Sequence, residues 1–222
     1  MNAKYAGYVL PNYTRGEEIF NMVSHIVGGG MGIVVLMLCP IVAAWRHNAL
    51  GIGTSIVYGL SMVLLYTMSS VYHGLTKEKA KRVFRVLDHC TIYFLIAGTY
   101  TPLVLCSLRL VHGPLAWTIF GIEWGLAALA VTLTAIDLRK YQALSMICYI
   151  VMGWCIVIAY EYVVPAFTAT GFILLLTGGI LYTAGAIVYG VGKKLKYFHG
   201  VFHIFVLLGS FFHFLCVLVY AL

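Results

Sequence analysis

Residues 198–221 read FHGVFHIFVLLGSFFHFLCVLVYA, a stretch without lysine, arginine, aspartate or glutamate. A helix needs roughly 20 apolar residues to cross a hydrocarbon core about 30 Å thick. A membrane barrel strand would be roughly 10 residues long and would alternate apolar with polar side chains. This stretch therefore predicts a membrane-spanning helix.

Six further apolar stretches precede this one, and each is bounded by charged or turn-forming residues. They cover residues 19–44, 51–74, 86–107, 114–135, 143–164 and 167–190. Together the seven stretches leave little chain outside the membrane. We therefore predict one all-α domain over residues 1–222, an integral membrane bundle of seven transmembrane helices. The spacing of Thr14 and Glu17 predicts a capping box at the start of the first helix.

The composition requires lipid as the solvent for most of the chain. Of the 222 residues, 62% are hydrophobic and 9% are charged, whereas soluble domains average about 45–50% and about 25%. A soluble core of this length cannot bury so much apolar surface. The net charge of +7 falls in short clusters between apolar stretches. This pattern suits membrane topology and argues against nucleic-acid binding, which needs a continuous basic face.

The basic residues also predict the orientation of the bundle. Of the 14 lysines and arginines, all but Arg46 and Arg109 fall on one side of the predicted membrane. The others are Lys4, Arg15, Lys77, Lys79, Lys81, Arg82, Arg85, Arg139, Lys140, Lys193, Lys194 and Lys196. Because positive charge stays on the cytoplasmic side, we predict a cytoplasmic N-terminus and an external C-terminus.

Ionisable side chains within spans are costly, so each is a candidate for function. His73 ends the second predicted span, Asp88 begins the third, and His199 and His203 begin the seventh. Each lies within roughly 5–10 Å of a flanking basic residue, since a helix rises about 1.5 Å per residue. Three helices are thus predicted to bring three imidazoles and a carboxylate to one shallow layer on the cytoplasmic side.

His199 and His203 are one helical turn apart and share a face, a spacing that lets two imidazoles bind one metal ion. With His73 they make three histidines and an open position, which is typical of catalytic zinc. Chance or packing also explains such a pair. Asp88 is a candidate metal ligand, orienting group or base for the metal-coordinated water, or else a helix N-cap. The Ser69 hydroxyl either bonds that water or a substrate oxyanion, or packs between helices.

Five further ionisable residues lie within the predicted spans. His25 lies in the same layer and either contacts a ligand or substrate or is a packed, hydrogen-bonded histidine. His89 is predicted to pack or to face the interface. His213 is about 15 Å too deep to join the site and either packs or lines a cavity. Glu123 is predicted to find a partner across the bundle or to be protonated, and Glu161 to reach the interface.

A family resemblance adds to this reading. Ser69-x3-His73, Asp88 within LDHCTIYFLIAGTYTP, and His199-x3-His203 within YFHGVFHIFVLLGSFFHF resemble the hemolysin III family, and GEEIFNMVSH resembles its opening motif. That family is a branch of the progestin and adiponectin Q receptors, in a wider group that includes alkaline ceramidases. The similarity extends over essentially the whole chain.

The resemblance implies a zinc ion held by His73, His199 and His203, with Asp88 and Ser69 contacting its water. It also implies a multi-pass protein of the cell membrane, the inner membrane of a bacterium, with a part in lipid homeostasis. The leading hypothesis is a zinc-dependent hydrolase of a lipid amide or ester, with membrane lipids, such as a ceramide-like substrate, as partners. A non-enzymatic sensor or regulator of membrane state with structural zinc is the second, and a cytolytic protein is the third.

Overall fold

The computed structural model describes residues 10–192 and 195–222. Within these ranges the chain is helical and contains no strand. Lys4, Lys193 and Lys194, which contribute to the predicted orientation, lie outside the described residues. The helices are α1 (Arg15–Trp45), α2 (Ala49–Gly74), α3 (Glu78–Pro102), α4 (Gly113–Ile136), α5 (Gln142–Trp154), α6 (Tyr160–Val191) and α7 (Phe198–Cys216).

Six helical stretches in the described part of the chain are long and apolar enough to cross a membrane. They are Arg15–Trp45, Ala49–Gly74, Glu78–Val111, Gly113–Ile136, Gln142–Val191 and Phe198–Ala221. Wider π-helical turns, Leu103–Leu108 and Val217–Ala221, prolong α3 and α7. Many large apolar side chains lie on the outer surface, as lipid contact requires. The chain is therefore a multi-pass helical membrane protein.

The fifth stretch folds back on itself. A 3-10 turn, Cys155–Ala159, joins α5 to α6, and within α6 Thr168 departs from helical geometry at φ 61° and ψ 169°. The indole Nε1 of Trp154 donates to Thr183 Oγ1 at 2.9 Å, although the two residues are 29 positions apart. On one straight helix they would be about 43 Å apart. The chain therefore reverses direction at the kink, close to the predicted boundary between the fifth and sixth spans.

The predicted capping box at the start of α1 is confirmed. Thr14 Oγ1 accepts from the Glu17 amide at 3.3 Å, and the Glu17 carboxylate accepts from the Thr14 amide at 2.8 Å. The other carboxylate oxygen of Glu17 accepts from the Tyr197 amide at 2.8 Å. The cap of α1 thereby also fixes the segment that leads into α7.

The third helix begins well before the predicted residue 86. It starts at Glu78, whose carboxylate lies in the positive first turn and pairs with Arg82 one turn later. The charged residues that marked the expected membrane boundary are therefore part of the helix itself. Lys77 holds the N-cap position. The interpretation of Asp88 as an N-cap is therefore wrong, since Asp88 lies about three turns inside α3.

The alternation of helix direction brings the ends of distant helices together. At one end, α1, α3 and α7 begin and α2 ends, and Glu18 of α1 pairs with Lys81 of α3 at 2.7 Å. At the opposite end, Asn48 donates to the Leu222 carbonyl at 3.3 Å. The first end carries the histidine-rich layer.

Candidate metal centre

Three imidazoles meet where the end of α2 lies beside the beginning of α7. His199 Nε2 lies 3.2 Å from His73 Nε2 and 3.1 Å from His203 Nε2. The ligand atoms of the three residues all lie within 4.8 Å of one another. His73 and His203 are buried, at 3% and 1% exposure, and His199 is partly buried. The structure thus brings together the three histidines that the sequence singled out.

Oxygen acceptors on the far side fix the hydrogen position on two of the rings. His73 Nδ1 lies 2.7 Å from the Glu18 carboxylate. His203 Nδ1 lies 3.2 Å from the carbonyl oxygen of Asn21 and 3.2 Å from Ser24 Oγ. Because carboxylate and carbonyl oxygens only accept, Nδ1 carries the hydrogen on both rings. Both Nε2 atoms therefore present lone pairs to the meeting point.

This arrangement fits a bound metal cation. A neutral His199 can donate one hydrogen from Nε2, yet two lone-pair nitrogens face that atom. One close contact thus remains between lone pairs unless a cation lies among them. Nitrogens that bind zinc at about 2.0–2.1 Å with tetrahedral geometry are about 3.3 Å apart. The observed separations are close to that value.

A carboxylate and a lysine support His73 from behind. Glu18 lies in the first turn of α1 and divides its two oxygens between His73 Nδ1 and Lys81 Nζ, each at 2.7 Å. Lys81 is itself buried and donates to the Leu75 carbonyl at 3.2 Å. This chain ties the ends of α1, α2 and α3 to one ring, in the way that carboxylates orient metal-binding histidines.

Aromatic rings cover His199. The ring of Tyr13, just before α1, stacks on it with centroids 5.2 Å apart and an interplanar angle of 21°. Burial raises the pKa of the Tyr13 phenol above its ordinary value, so the phenol stays protonated. Tyr189 and Phe202 flank the same imidazole. These rings keep His199 in an environment that is mostly apolar.

Asp88 and Ser69 line the same cavity as His199 and His203. Both are buried, and Ser69 Oγ has no hydrogen-bond partner in the described part of the chain. A buried hydroxyl without a partner is costly and is typical of a site that receives a polar group. Because α3 begins at Glu78, about three turns before Asp88, the Asp88 side chain lies inside the bundle.

The cavity has a volume of about 150 Å³ and runs from the histidine cluster toward the middle of the bundle. Polar side chains occur at the histidine end, such as Asp88 and Ser69, and also deeper, such as Tyr182 and His213, but most of the lining surface is apolar. Lining residues include Leu65, Ile92, Leu95, Ile96, Ile150 and Val206. Its shape and lining suit an apolar chain with a polar group at one end.

The other two candidate histidines within this region have different surroundings. His25 is 3% exposed and stacks on His203 with ring centroids 3.6 Å apart, and neither of its nitrogens has a hydrogen-bond partner among the described residues. The ring therefore packs, as one alternative predicted, but without the hydrogen bonds that this alternative included. His213 lines the deeper part of the cavity, as one reading predicted, and its Nε2 lies 3.0 Å from the Leu175 carbonyl.

Three remaining candidates lie outside the histidine cluster. His89 bonds the Arg85 carbonyl at 2.9 Å, one turn back in its own helix, and its ring also lines the cavity. Glu123 is fully buried, and Cys155 Sγ, at the start of the 3-10 turn that follows α5, donates to one of its oxygens at 2.9 Å, the partner across the bundle that was one of the two predicted alternatives. Glu161 is exposed near the start of α6, as expected for an interfacial residue.

Sequence reasoning missed the residues that hold the imidazoles in place. Glu18 is not among the predicted site residues, yet its carboxylate faces His73. Asn21 acts through its backbone carbonyl, which no sequence pattern reveals. The available signal was position, because Glu18 lies in the first turn of α1, at the end of the bundle where the histidine layer is predicted.

Comparisons with known proteins agree with this structure. The family model described as "Haemolysin-III related" matches residues 13–214. "Hemolysin-3" of Bacillus cereus is 42% identical over 206 residues, 93% of this chain and 92% of that protein. "Hemolysin-3 homolog" of Bacillus subtilis (strain 168) is 39% identical over 208 residues, 94% of this chain and 96% of that protein.

A more distant match covers a smaller part of the chain. "Monocyte to macrophage differentiation factor" of Homo sapiens is 29% identical over 106 residues, 46% of this chain and 43% of that protein. This match is consistent with the predicted relation to the progestin and adiponectin Q receptor family. The family model extends from before α1 into the last turns of α7 and thus includes every residue of the candidate centre. The chain therefore belongs to the hemolysin III family.

Proposed function

We propose that this protein is a zinc-dependent membrane hydrolase that cleaves an amide or ester bond of a lipid. The observation that carries the proposal is the convergence of three imidazole Nε2 atoms at the edge of an apolar cavity. Two of those atoms have their lone pairs directed inward by oxygen acceptors on the opposite side of the ring. Asp88 and Ser69 line the same cavity.

The proposal includes a bundle of seven spans with a cytoplasmic N-terminus, in a bacterial cell membrane. The reversal at Thr168 supports the count, because it divides Gln142–Val191 into antiparallel parts of about 26 and 23 residues, each long enough to cross the membrane. Seven spans place α1, α3 and α7 parallel, as the paired helix ends require. The excess of basic residues at the end where α1 begins supports the orientation.

Zinc is the metal that the donor set favours. Three neutral imidazoles suit a borderline ion, and three protein ligands with an open position are typical of catalytic sites, whereas structural sites are usually closed by four. The two outer contacts, from Glu18 and Asn21, complete the arrangement that such ligands usually have.

In the proposed reaction the protein positions the scissile carbonyl at the mouth of the cavity. A bound Zn²⁺ supplies Lewis acidity, which polarises a carbonyl and acidifies water. Asp88 accepts a proton from the attacking water as the carbon–oxygen bond forms. The Ser69 hydroxyl donates to the developing oxyanion. Asp88 then returns the proton to the leaving nitrogen or oxygen, so that the products are a carboxylic acid and an amine or alcohol.

The position of the centre supports a lipid substrate. The histidines lie at the ends of helices, near the headgroup level, while the cavity extends into the part of the bundle that the hydrocarbon core surrounds. A lipid whose polar linkage lies near its headgroup presents that linkage at the same depth. Its chain then occupies apolar space, which favours binding through the hydrophobic effect.

Turnover by purified protein tests the proposal. Zinc-loaded wild type is incubated in mixed micelles with N-acyl amides and acyl esters, and released products are measured by mass spectrometry. We expect turnover that Asp88→Asn reduces by at least about 100-fold with zinc retained. Glu161→Gln, at an exposed acid, is the matched control and should keep full activity.

Two results would count against the mechanism. Turnover that survives both chelation and His203→Ala would exclude the metal centre as the catalyst. A second outcome is that the protein binds zinc and is stabilised by it against heat, but hydrolyses no amide or ester. This outcome would favour a non-enzymatic regulator in which zinc holds α2 and α7 together.

A further inference from the structure

His25 is a buried polar side chain that the proposed mechanism does not use. It lies on α1, is 3% exposed and lines the cavity beside the metal centre. Its ring lies nearly parallel to that of His203, with an interplanar angle of 13°, and meets Tyr66 edge-on at 5.1 Å. The ring of His25 thus packs between two aromatic neighbours, but it gains no hydrogen bond from either of them.

The ring nitrogens of His25 have no hydrogen-bond partner in the described part of the chain. A neutral imidazole carries one donor and one acceptor, and leaving both unpaired in a buried position is costly. Ser69 Oγ, which lines the same cavity, is also buried and unpartnered. Two helices therefore present unsatisfied donors and acceptors beside one apolar cavity.

The lining restricts the chemistry of a matching ligand. It contains no lysine or arginine within the described residues that could pair with an anionic headgroup, and an unpaired anion beside a buried neutral ring is costly. A phosphate or free carboxylate is thus a poor partner for His25. A neutral group that both donates and accepts, such as a hydroxyl, matches the unpaired donor and acceptor of the His25 imidazole. The apolar remainder of the lining requires an attached chain.

We propose that His25 binds the hydroxyl group of a neutral, single-chain amphiphile whose chain lies in the cavity. This inference rests on the proposed function, because it places the hydroxyl beside the linkage that would be cleaved. His25 acts as a specificity-determining residue: it distinguishes a hydroxylated lipid from the same lipid without the hydroxyl. Discrimination of this kind arises because the deoxy ligand leaves a buried polar group unpaired.

Binding of two matched probes to zinc-loaded protein tests this role without needing turnover. The probes are labelled N-lauroylethanolamine and N-lauroylpropylamine, in which a methyl group replaces the hydroxyl, and binding is measured by equilibrium dialysis in micelles at short times. Wild type should bind the hydroxylated probe about 10-fold more tightly. His25→Phe keeps a stacking ring without nitrogens and should remove that preference, with zinc content unchanged. His25→Gln should recover part of it.

Several outcomes would overturn the proposal. Wild type that binds neither probe, or both equally, would exclude a hydroxyl site. A preference that persists in His25→Phe would assign it to another residue. Loss of zinc in both His25→Phe and His25→Gln would show that His25 serves the metal centre instead. If wild type shows the His25-dependent hydroxyl preference but hydrolyses no lipid, the proposed reaction is rejected and this inference stands. If wild type hydrolyses a lipid but shows no hydroxyl preference, this inference is rejected and the proposed reaction stands.

Discussion

Two regions of α7 carry histidines with opposite uses of the same nitrogen. In the first turns, Nε2 of His199 and His203 face each other and His73. Ten residues further on, Nε2 of His213 lies against the Leu175 carbonyl of α6 at 3.0 Å and donates to it. Because a metal ligand needs a lone pair, His213 has used the atom that His203 keeps available.

This difference shows that the role of a histidine in a membrane helix depends on its hydrogen-bond partner as well as on its depth. His203 gives its Nδ1 hydrogen to the Asn21 carbonyl, so Nε2 stays free. His213 gives its Nε2 hydrogen to a backbone carbonyl and fits against Gly178, where a side chain would meet the ring. The surroundings of His203 leave a nitrogen lone pair free to bind a metal ion, whereas those of His213 hold its ring in a packed position.

The largest expected effect separates these two uses directly. His199→Ala and His203→Ala each remove a ligand, so zinc affinity should fall by more than about 100-fold, beyond the loss caused by outer contacts. His213→Ala should retain zinc at the wild-type ratio. Metal analysis of monodisperse purified protein gives the zinc-to-protein ratio of each variant and of wild type. Equal loss of zinc from His213→Ala would contradict the distinction.

A smaller loss of zinc affinity is expected from a change at Glu18, which contacts the outer nitrogen of His73. Glu18→Gln keeps an acceptor for His73 Nδ1 but removes the charge that orients the ring and pairs with Lys81. Zinc affinity should fall about 10-fold, the lower part of the range for such contacts. Competition with a fluorescent chelator measures the affinity, and exposed Glu161→Gln is the control. An unchanged affinity would show that the Glu18 carboxylate is not needed.

Around His213 the expected change is in the stability of the fold and not in zinc affinity. A Cβ on Gly178 would clash with the His213 ring and lie 3.1 Å from the Gly209 carbonyl oxygen. Gly178→Ala should therefore lower the free energy of unfolding by about 1–3 kcal/mol with zinc content unchanged. Thermal unfolding in detergent tests this. Gly125→Ala, where a Cβ meets open space, should be neutral or slightly stabilising. Equal melting temperatures for the two variants would refute the packing role.

The smallest effect concerns the second partner of His203. Ser24→Ala removes one of two oxygens near Nδ1 and leaves the Asn21 carbonyl in place. Zinc affinity should fall by no more than about threefold, since one acceptor still fixes the hydrogen. Ser70→Ala, which removes a bond within α2 only, is the matched control. A loss as large as that of Glu18→Gln would mean that Ser24, and not the backbone, fixes the ring.

Much of this arrangement follows from local sequence. Apolar stretches predict the helices, because lipid leaves backbone groups no other partners. Thr14 and Glu17 predict the first cap, which the structure confirms. Depth along each helix selects His73, His199 and His203 because alternating helix directions return the chain to the same layer. These properties depend on residues that are close in sequence.

The remainder depends on contacts between helices. The pairing of Glu18 with His73 joins residues 55 positions apart, and no local pattern encodes it. The start of α3 was misplaced because charge was taken as the end of a helix, whereas Glu78 and Arg82 stabilise further turns beyond the apolar part. The unpartnered edge of His25 becomes visible only when every neighbouring side chain is in place.

The separation of 126 positions between His73 and His199 has a consequence for biogenesis. One ligand is synthesised with α2, and the other two arrive with α7, the last helix of the described chain. The centre cannot exist while the intervening helices are still being inserted, because no two of these helices alone supply the oriented lone pairs and their supports on α1. If the proposed function holds, metal retention reports that the last helix of the described chain has docked, and an ion that binds only the assembled state stabilises it by mass action.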